Sequence, residues 1–212
     1  MPVFKLKEKQ MIKEKSKTWT LISGQLGRLF AKLPFSPNTY TWSVLPVAFV
    51  GFLAFIKTHI LIGTLLFLLA GFLDLIDGAV ARQRKQMTSR GAFLDGSLDR
   101  IVDFLLIFSY FWLSLQTPFL SAAQWIGLLI FLAIMPSFEV AYANHRQAVK
   151  DPDEKIIWRL LNRGEMYIFM LAIPFFSKYS TIFSGYLLII LVILCFITTI
   201  QTIGNTLKLS QH

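Results

Sequence analysis

The chain has 212 residues, 55% of them hydrophobic, with a mean hydropathy of +0.58 and a formal net charge of +9. Soluble domains run at roughly 45–50% apolar residues, so the composition weighs against a water-soluble fold and for a membrane protein. The lone Cys195 excludes an internal disulfide. The positive charge is sorted to the ends of apolar segments, so no nucleic-acid partner is expected.

Residues 1–17, MPVFKLKEKQMIKEKSK, are polar and basic. They lack the pattern of a cleavable signal and suit a tether to anionic lipid. In residues 18–35, Trp19, Ile22, Leu26, Leu29, Phe30 and Leu33 recur at helical spacing, with Arg28 and Lys32 between them. That pattern predicts a helix lying in the membrane interface. Residues 1–36 are therefore read as a cytoplasmic basic segment and interfacial helix, and 37–212 as one six-helix domain.

Crossing a bilayer takes ~20 apolar residues. Segments near 38–57, 59–81, 92–114, 122–143, 160–177 and 181–207 meet or approach that length. The fold class expected is all-α and integral to the membrane, with six transmembrane helices. Lys and Arg crowd the N-terminal segment, the second-to-third connection (Arg82, Arg84, Lys85, Arg90) and the fourth-to-fifth (Arg146, Lys150, Lys155, Arg159, Arg163). Only Lys57 and Lys178 fall on the other side. The positive-inside rule then puts both termini in the cytoplasm of a cell-membrane protein.

The second span is apolar until it ends in DLIDGAVAR, residues 74–82. A charge in hydrocarbon costs roughly 2.5–3.5 kcal/mol on insertion scales, so Asp74 and Asp77 need a reason. They are three residues apart, and Asp95, Asp99 and Asp103 follow at intervals of four. Each set shares one helix face. A short link makes the two helices antiparallel neighbours, which brings the carboxylates together. Such a cluster repels itself unless cations neutralise it, and hard divalent ions prefer oxygen ligands. Paired ions would form a clamp for phosphoryl displacement. Gly78, Ala81 and Gly91 leave room for a ligand, and Arg82 can bridge a diphosphate. The competing reading is a cation channel or transporter lined by the same acids. Acids gathered at one membrane face, with small residues and an arginine among them, favour the first. A single intramembrane carboxylate can also simply be an ion-paired interior residue. Asp99 or Asp103 could pair in this way with Arg100 or Arg163, and Asp103 is read as structural, paired with Arg100 or a cation.

Written out, the stretch is Asp74-x2-Asp77-Gly78-x2-Ala81-Arg82-x8-Gly91-x3-Asp95-x3-Asp99. This resembles the signature of the CDP-alcohol phosphotransferase family, with all eight defining positions present. The six-span layout extends the likeness over most of the chain. The resemblance implies a metal-dependent membrane enzyme of phospholipid biosynthesis. It would move a phospho-alcohol group from a CDP-linked lipid donor to a small polar alcohol acceptor and release CMP. It further implies Asp74, Asp77, Asp95 and Asp99 as metal ligands, with two Mg2+ (or Mn2+) ions and Asp99 as the base. Gly78, Ala81, Arg82 and Gly91 would line the CDP site. Thr88 matches a polar position near the nucleotide. Asn38 and Thr41, in PNTYT (37–41), match a second, shorter motif at the cytidine or its phosphates. A catalytically dead relative would be expected to have lost a signature aspartate, and none is lost. Family members commonly form homodimers, and the resemblance implies the same here.

The acceptor is less plainly written. Glu139, Tyr142, Asn144, His145, Arg146, Arg159, Arg163 and Glu165 are candidates near the site. Arg159 and Arg163, one turn apart, would either hold a phosphate on the acceptor or contact lipid headgroups. RGE at 163–165 is similar to a segment of members that use inositol phosphate or glycerol 3-phosphate. The stretch before it, SFEVAYANHRQ (137–147), departs from their usual pattern. A phosphorylated polyol is expected, with inositol phosphate ahead. His59, His145 and Cys195 lack partners at ligand spacing and are read as structural.

Overall fold

Long apolar runs broken by short polar turns satisfy their backbone hydrogen bonds within themselves, and they do so as helices. The computed structural model describes residues 24–148 and 160–210, and all its regular elements are helical. They are α1 (24–30), α2 (Pro37–Ile56), α3 (Ile60–Gln83), α4 (Ser89–Phe108), α5 (Ala122–His145), α6 (Arg163–Ser177) and α7 (Thr181–Ser210). A 3-10 turn, Ser109–Trp112, follows α4.

Among the described residues, four helical segments are long and apolar enough to cross a membrane: Thr39–Ile56, Ile60–Gln83, Ala122–His145 and Thr181–Lys208. The chain is thus a multi-pass helical membrane protein by length and composition. Two of the six expected spans fall short of that measure. Helix α4 carries Arg90, Asp95, Asp99, Arg100 and Asp103 within its 20 residues. Helix α6 begins at Arg163 rather than 160 and has 15 residues. At 1.5 Å per residue it reaches only about 22 Å, against a hydrocarbon core of about 30 Å.

Three helices end on a left-handed residue that is not glycine. Thr58 (φ 61), Lys85 (φ 54) and Gln147 (φ 53) follow α2, α3 and α5. Each time the next amide reaches back to a carbonyl five residues earlier: His59 to Ala54 at 2.8 Å, Gln86 to Ala81 at 2.9 Å and Ala148 to Ala143 at 2.9 Å. This is the Schellman closure, which caps otherwise unsatisfied carbonyls.

The chain divides into two units, one comprising the chain up to Val47 with Leu69–Asp99, the other Ala48–Leu68 with Arg100 onward. In the first, α1 packs on the later turns of α3. Phe30 and Ala31 lie against Tyr40, Ile76 and Val80. Gly27 makes the close approach possible, since a β-carbon there would stand 2.7 Å from the Ala79 carbonyl oxygen. Gly27→Ala should therefore cost about 1–3 kcal/mol through overpacking, read as a lower unfolding midpoint. Gly24→Ala, with nothing within 4 Å, should leave the midpoint unchanged or slightly raised. Arg84 completes the attachment. Its guanidinium donates to the carbonyls of Ala31 (2.7 Å), Leu33 (2.6 Å) and Phe35 (2.7 Å), tying down the end of α1 and the link to α2.

In the second unit, α7 packs against α5 and α6. Proline at position 174 of α6 has no N–H, so the carbonyl of Met170, four residues earlier, loses its helical donor. The buried Tyr110 hydroxyl donates to that carbonyl at 2.6 Å. Tyr167 of α6 donates its hydroxyl to the Phe67 carbonyl at 2.7 Å.

Candidate active site

The site is built by the turn between α3 and α4. Helix periodicity puts Asp74 and Asp77 on one stripe of α3, and Asp95 and Asp99 on one stripe of α4. The structure brings one carboxylate oxygen each from Asp74, Asp95 and Asp99 within 4.8 Å of one another. Asp99 is buried, and the other two are half-buried. Three like charges at this range are costly without a cation, and an all-oxygen donor set is what a hard divalent ion takes.

Asp77, the fourth expected ligand, stands beside this trio rather than in it. Its carboxyl is near Asp95 and Asp74, and the Thr41 hydroxyl is its side-chain hydrogen-bond partner. Its Oδ2 is buried with no hydrogen-bond partner. An orphaned carboxylate oxygen next to three convergent ones fits a cation site, because a buried acceptor is otherwise expensive to leave unpaired. The residues present therefore fit a divalent metal.

Gly78 and Arg82 follow Asp74 and Asp77 along α3. Arg82 folds back along its own helix over Gly78, its Nη1 3.4 Å from where a β-carbon would be. The absence of a side chain at 78 gives the guanidinium that place. Arg82 is otherwise exposed, free to swing toward an anion. Thr88 caps α4, its hydroxyl accepting from the Gly91 amide at 3.0 Å. An oxygen at an N-cap offsets one unsatisfied amide, a job the sequence did not announce for Thr88. Thr41 is buried, and its hydroxyl oxygen lies 3.2 Å from the Pro37 carbonyl oxygen, so its one proton is shared between that carbonyl and Asp77.

Asp103, one turn beyond Asp99 along α4, is an ion-pair partner as expected, and of two arginines. Arg100 Nη1 donates to its Oδ2 at 3.0 Å, and Arg163 Nε lies 3.6 Å from the same oxygen. Arg100 Nη2 also donates to Ser137 at 2.9 Å. Among the acceptor candidates, Arg163 joins this cluster. Arg146 pairs with Tyr142 on its own helix, with Nε donating to the phenol oxygen at 3.0 Å and the guanidinium 5.2 Å from the ring centre. Glu165 accepts from the Asn162 amide at 3.1 Å and so caps α6. Asn144 and His145 are exposed at the end of α5. Arg159 lies outside the described residues. Arg84 and Gln201 have roles the sequence did not signal. Gln201 accepts from the Leu160 amide at 3.0 Å, holding the approach to α6.

A helical membrane protein with three carboxylates converging at a helix turn, flanked by an arginine over a glycine, defines a class of metal-dependent membrane protein. The comparisons narrow it. Residues 35–202 match the model of the CDP-alcohol phosphatidyltransferase family, and the chain belongs to that family. It is 27% identical over 192 residues to the archaetidylinositol phosphate synthase of Pyrococcus horikoshii, covering 87% of this chain and 90% of that one. It is 36% identical over 85 residues to the enzyme of the same name from Methanothermobacter thermautotrophicus, covering 40% of this chain. The chain spans only 38% of that protein's length, and 60% of an Aquifex aeolicus relative that is 34% identical over 122 residues. Two structures of the phosphatidylinositol phosphate synthase of Mycobacterium tuberculosis share the fold at 20% identity. One has CDP-DAG bound (TM-score 0.66, covering 89% of this chain and 93% of that one). The other is in complex with manganese and citrate (TM-score 0.69, covering 87% and 88%).

Proposed function

We propose that the chain transfers a phosphatidyl-type group from a CDP-linked lipid to a phosphorylated polyol and releases CMP, with inositol phosphate as the preferred acceptor. The observation that carries this is the convergence of Asp74, Asp95 and Asp99 within 4.8 Å. A cation pathway would string its acids along several spans instead. The names of the two archaeal relatives support the choice of acceptor.

Asp74, Asp95 and Asp99 would hold divalent metal, with Asp77 completing the shell, and two ions fit four carboxylates. When bound, the metal neutralises the diphosphate and eases departure of CMP. The other duties fall to side chains. Arg82 swings from Gly78 to the diphosphate, with Ala81 and Gly91 leaving it room. Thr41 and Thr88 line the nucleotide side, and Asn38, whose side chain lies outside the described ones, is assigned there with them. Asp99 takes the acceptor's hydroxyl proton as that oxygen bonds to the phosphorus bearing the lipid alcohol, and the bond from phosphorus to the CMP oxygen breaks. Positioning and charge stabilisation supply most of the rate in such transfers. Arg163, with Arg159 before it, meets the acceptor's phosphate. Six spans with both termini and the site in the cytoplasm follow from the sorting of Lys and Arg. Residues 24–36 lie along the cytoplasmic face of the cell membrane, the basic segment before them lying outside the described residues, and two copies pair as a homodimer.

The test is CMP release by the purified chain with CDP-diacylglycerol or its ether analogue, Mg2+ or Mn2+, and a panel of acceptors. Inositol 1-phosphate should trigger release that a chelator abolishes and added metal restores. Preference for serine or unphosphorylated inositol would overturn the acceptor assignment. No release with either donor would overturn the activity.

A further inference from the structure

A second polar site lies on the far side of α3 from the acids. Gln25, Arg28, Leu29, Ala31, Lys32 and Gln83 line a groove of about 530 Å3. Gln83 is nine residues from Asp74. At about 100° per residue that is half a circle around the helix, so the groove is separate from the carboxylate cluster. Arg28, on α1, and Lys32, in the turn just after it, both line the groove, and no acid is among the lining residues. Between and beside them Leu29 and Leu33 are 62% and 41% exposed, and Phe35 is 49% exposed. Two residues on, α2 begins its run toward the bilayer at Pro37. The groove is held rigid from behind by the Gly27–Ala79 approach and by the three Arg84 hydrogen bonds.

We infer that this groove binds the headgroup of an anionic phospholipid, whose phosphodiester lies between Arg28 and Lys32. The physical reasons are three. Two cations lining one groove, with no carboxylate to neutralise them there, attract a single anion more than either does alone. The exposed leucines and phenylalanine beside them need an apolar environment, which acyl chains supply and a free phosphate does not. A volume in the range of small-ligand sites, roughly 300–1,000 Å3, suits a headgroup, and the two glutamine amides offer donors and acceptors to its hydroxyls. Because α1 is fixed to the helix that carries Asp74 and Asp77, a lipid held here would also steady the active-site helix.

The decisive measurement is native mass spectrometry of the detergent-solubilised full chain, offered phosphatidylglycerol and phosphatidylcholine in equal amounts. This readout does not depend on the transfer activity, so failure of the proposed reaction and failure of the lipid site are distinguishable. Wild type should retain phosphatidylglycerol in preference. Each cation near an anionic surface is worth roughly fivefold in binding, so Arg28→Ala with Lys32→Ala should lower retention about twenty-fivefold. Both side chains are exposed, so folding should survive, and an Arg28→Gln, Lys32→Gln pair provides a second form. Lys85→Gln, an exposed cation outside the groove, should change nothing. Equal retention of phosphatidylcholine, unchanged retention in both double variants, or an equal loss in Lys85→Gln would overturn the site. Displacement of the lipid by an equal concentration of inorganic phosphate would assign it to a free anion instead.

Discussion

Asp99→Asn is expected to slow CMP release by roughly 10²–10⁴-fold, the range for losing a positioned general base, with the chain still folded. Asparagine keeps the size of the side chain and its helix position but neither accepts a proton nor carries charge for a cation. Asp99 is the buried member of the trio, while Asp74 and Asp95 are half-buried. Burial withholds water from the carboxylate and so strengthens what it does to a bound ion and an incoming hydroxyl. The check is turnover with saturating donor, acceptor and Mn2+, alongside Mn2+ binding followed by electron paramagnetic resonance. Weaker Mn2+ binding with turnover restored at high Mn2+ would make Asp99 a ligand only. Turnover still depressed at saturating Mn2+ is the result expected of the base. Wild-type turnover would remove Asp99 from the mechanism.

The second large effect is on structure. Arg84→Ala should cost about 1.5–3 kcal/mol, in line with hydrogen bonds from a charged donor, discounted because the side chain is only half-buried. Three carbonyls share that one guanidinium, and no other residue type has a planar fork of five donors to offer them. Lysine could serve one or two, so Arg84→Lys should recover only part of the loss. The readout is local. With the clamp gone, trypsin should cut after Arg28 and Lys32 faster than in the parent, while the unfolding midpoint falls. Unaltered cleavage and midpoint would show that the Gly27–Ala79 contact suffices to hold α1.

These two residues also mark what the sequence discloses and what it does not. The acids were legible because helical periodicity is fixed: spacings of three and four put side chains on one face whatever surrounds them. The pairing of Asp103 with Arg100 was legible for the same reason. Its pairing with Arg163, sixty residues on, stood in the sequence only as one option among several, because tertiary folding alone brings those positions together. Arg84 counted as one more cytoplasmic charge, since nothing local shows where a long flexible side chain will point. Thr88 reads as a nucleotide contact in the sequence, and its cap on the Gly91 amide is a further use of the same hydroxyl that spacing alone does not show. The ends of α2, α3 and α5 carry no glycine where the chain turns left-handed, so the usual stop signal was missing there. Composition suggested six spans, but charge on α4 and the late start of α6 leave four that pass on length and apolarity.

The hydrogen bond from Tyr110 to Met170 has a consequence for assembly. Lipid offers no donor to a stray carbonyl, so every backbone group in a bilayer must find its partner within the protein. Helix α6 is the shortest of those from α2 onward. Its proline leaves a carbonyl that another segment fills at 2.6 Å. Placed in a bilayer alone, it would be both too short and one donor poor. Its partner, Tyr110, lies earlier in the chain and so leaves the ribosome first. The order of synthesis thus has the donor waiting when α6 arrives, and α6 settles as a guest of segments already made.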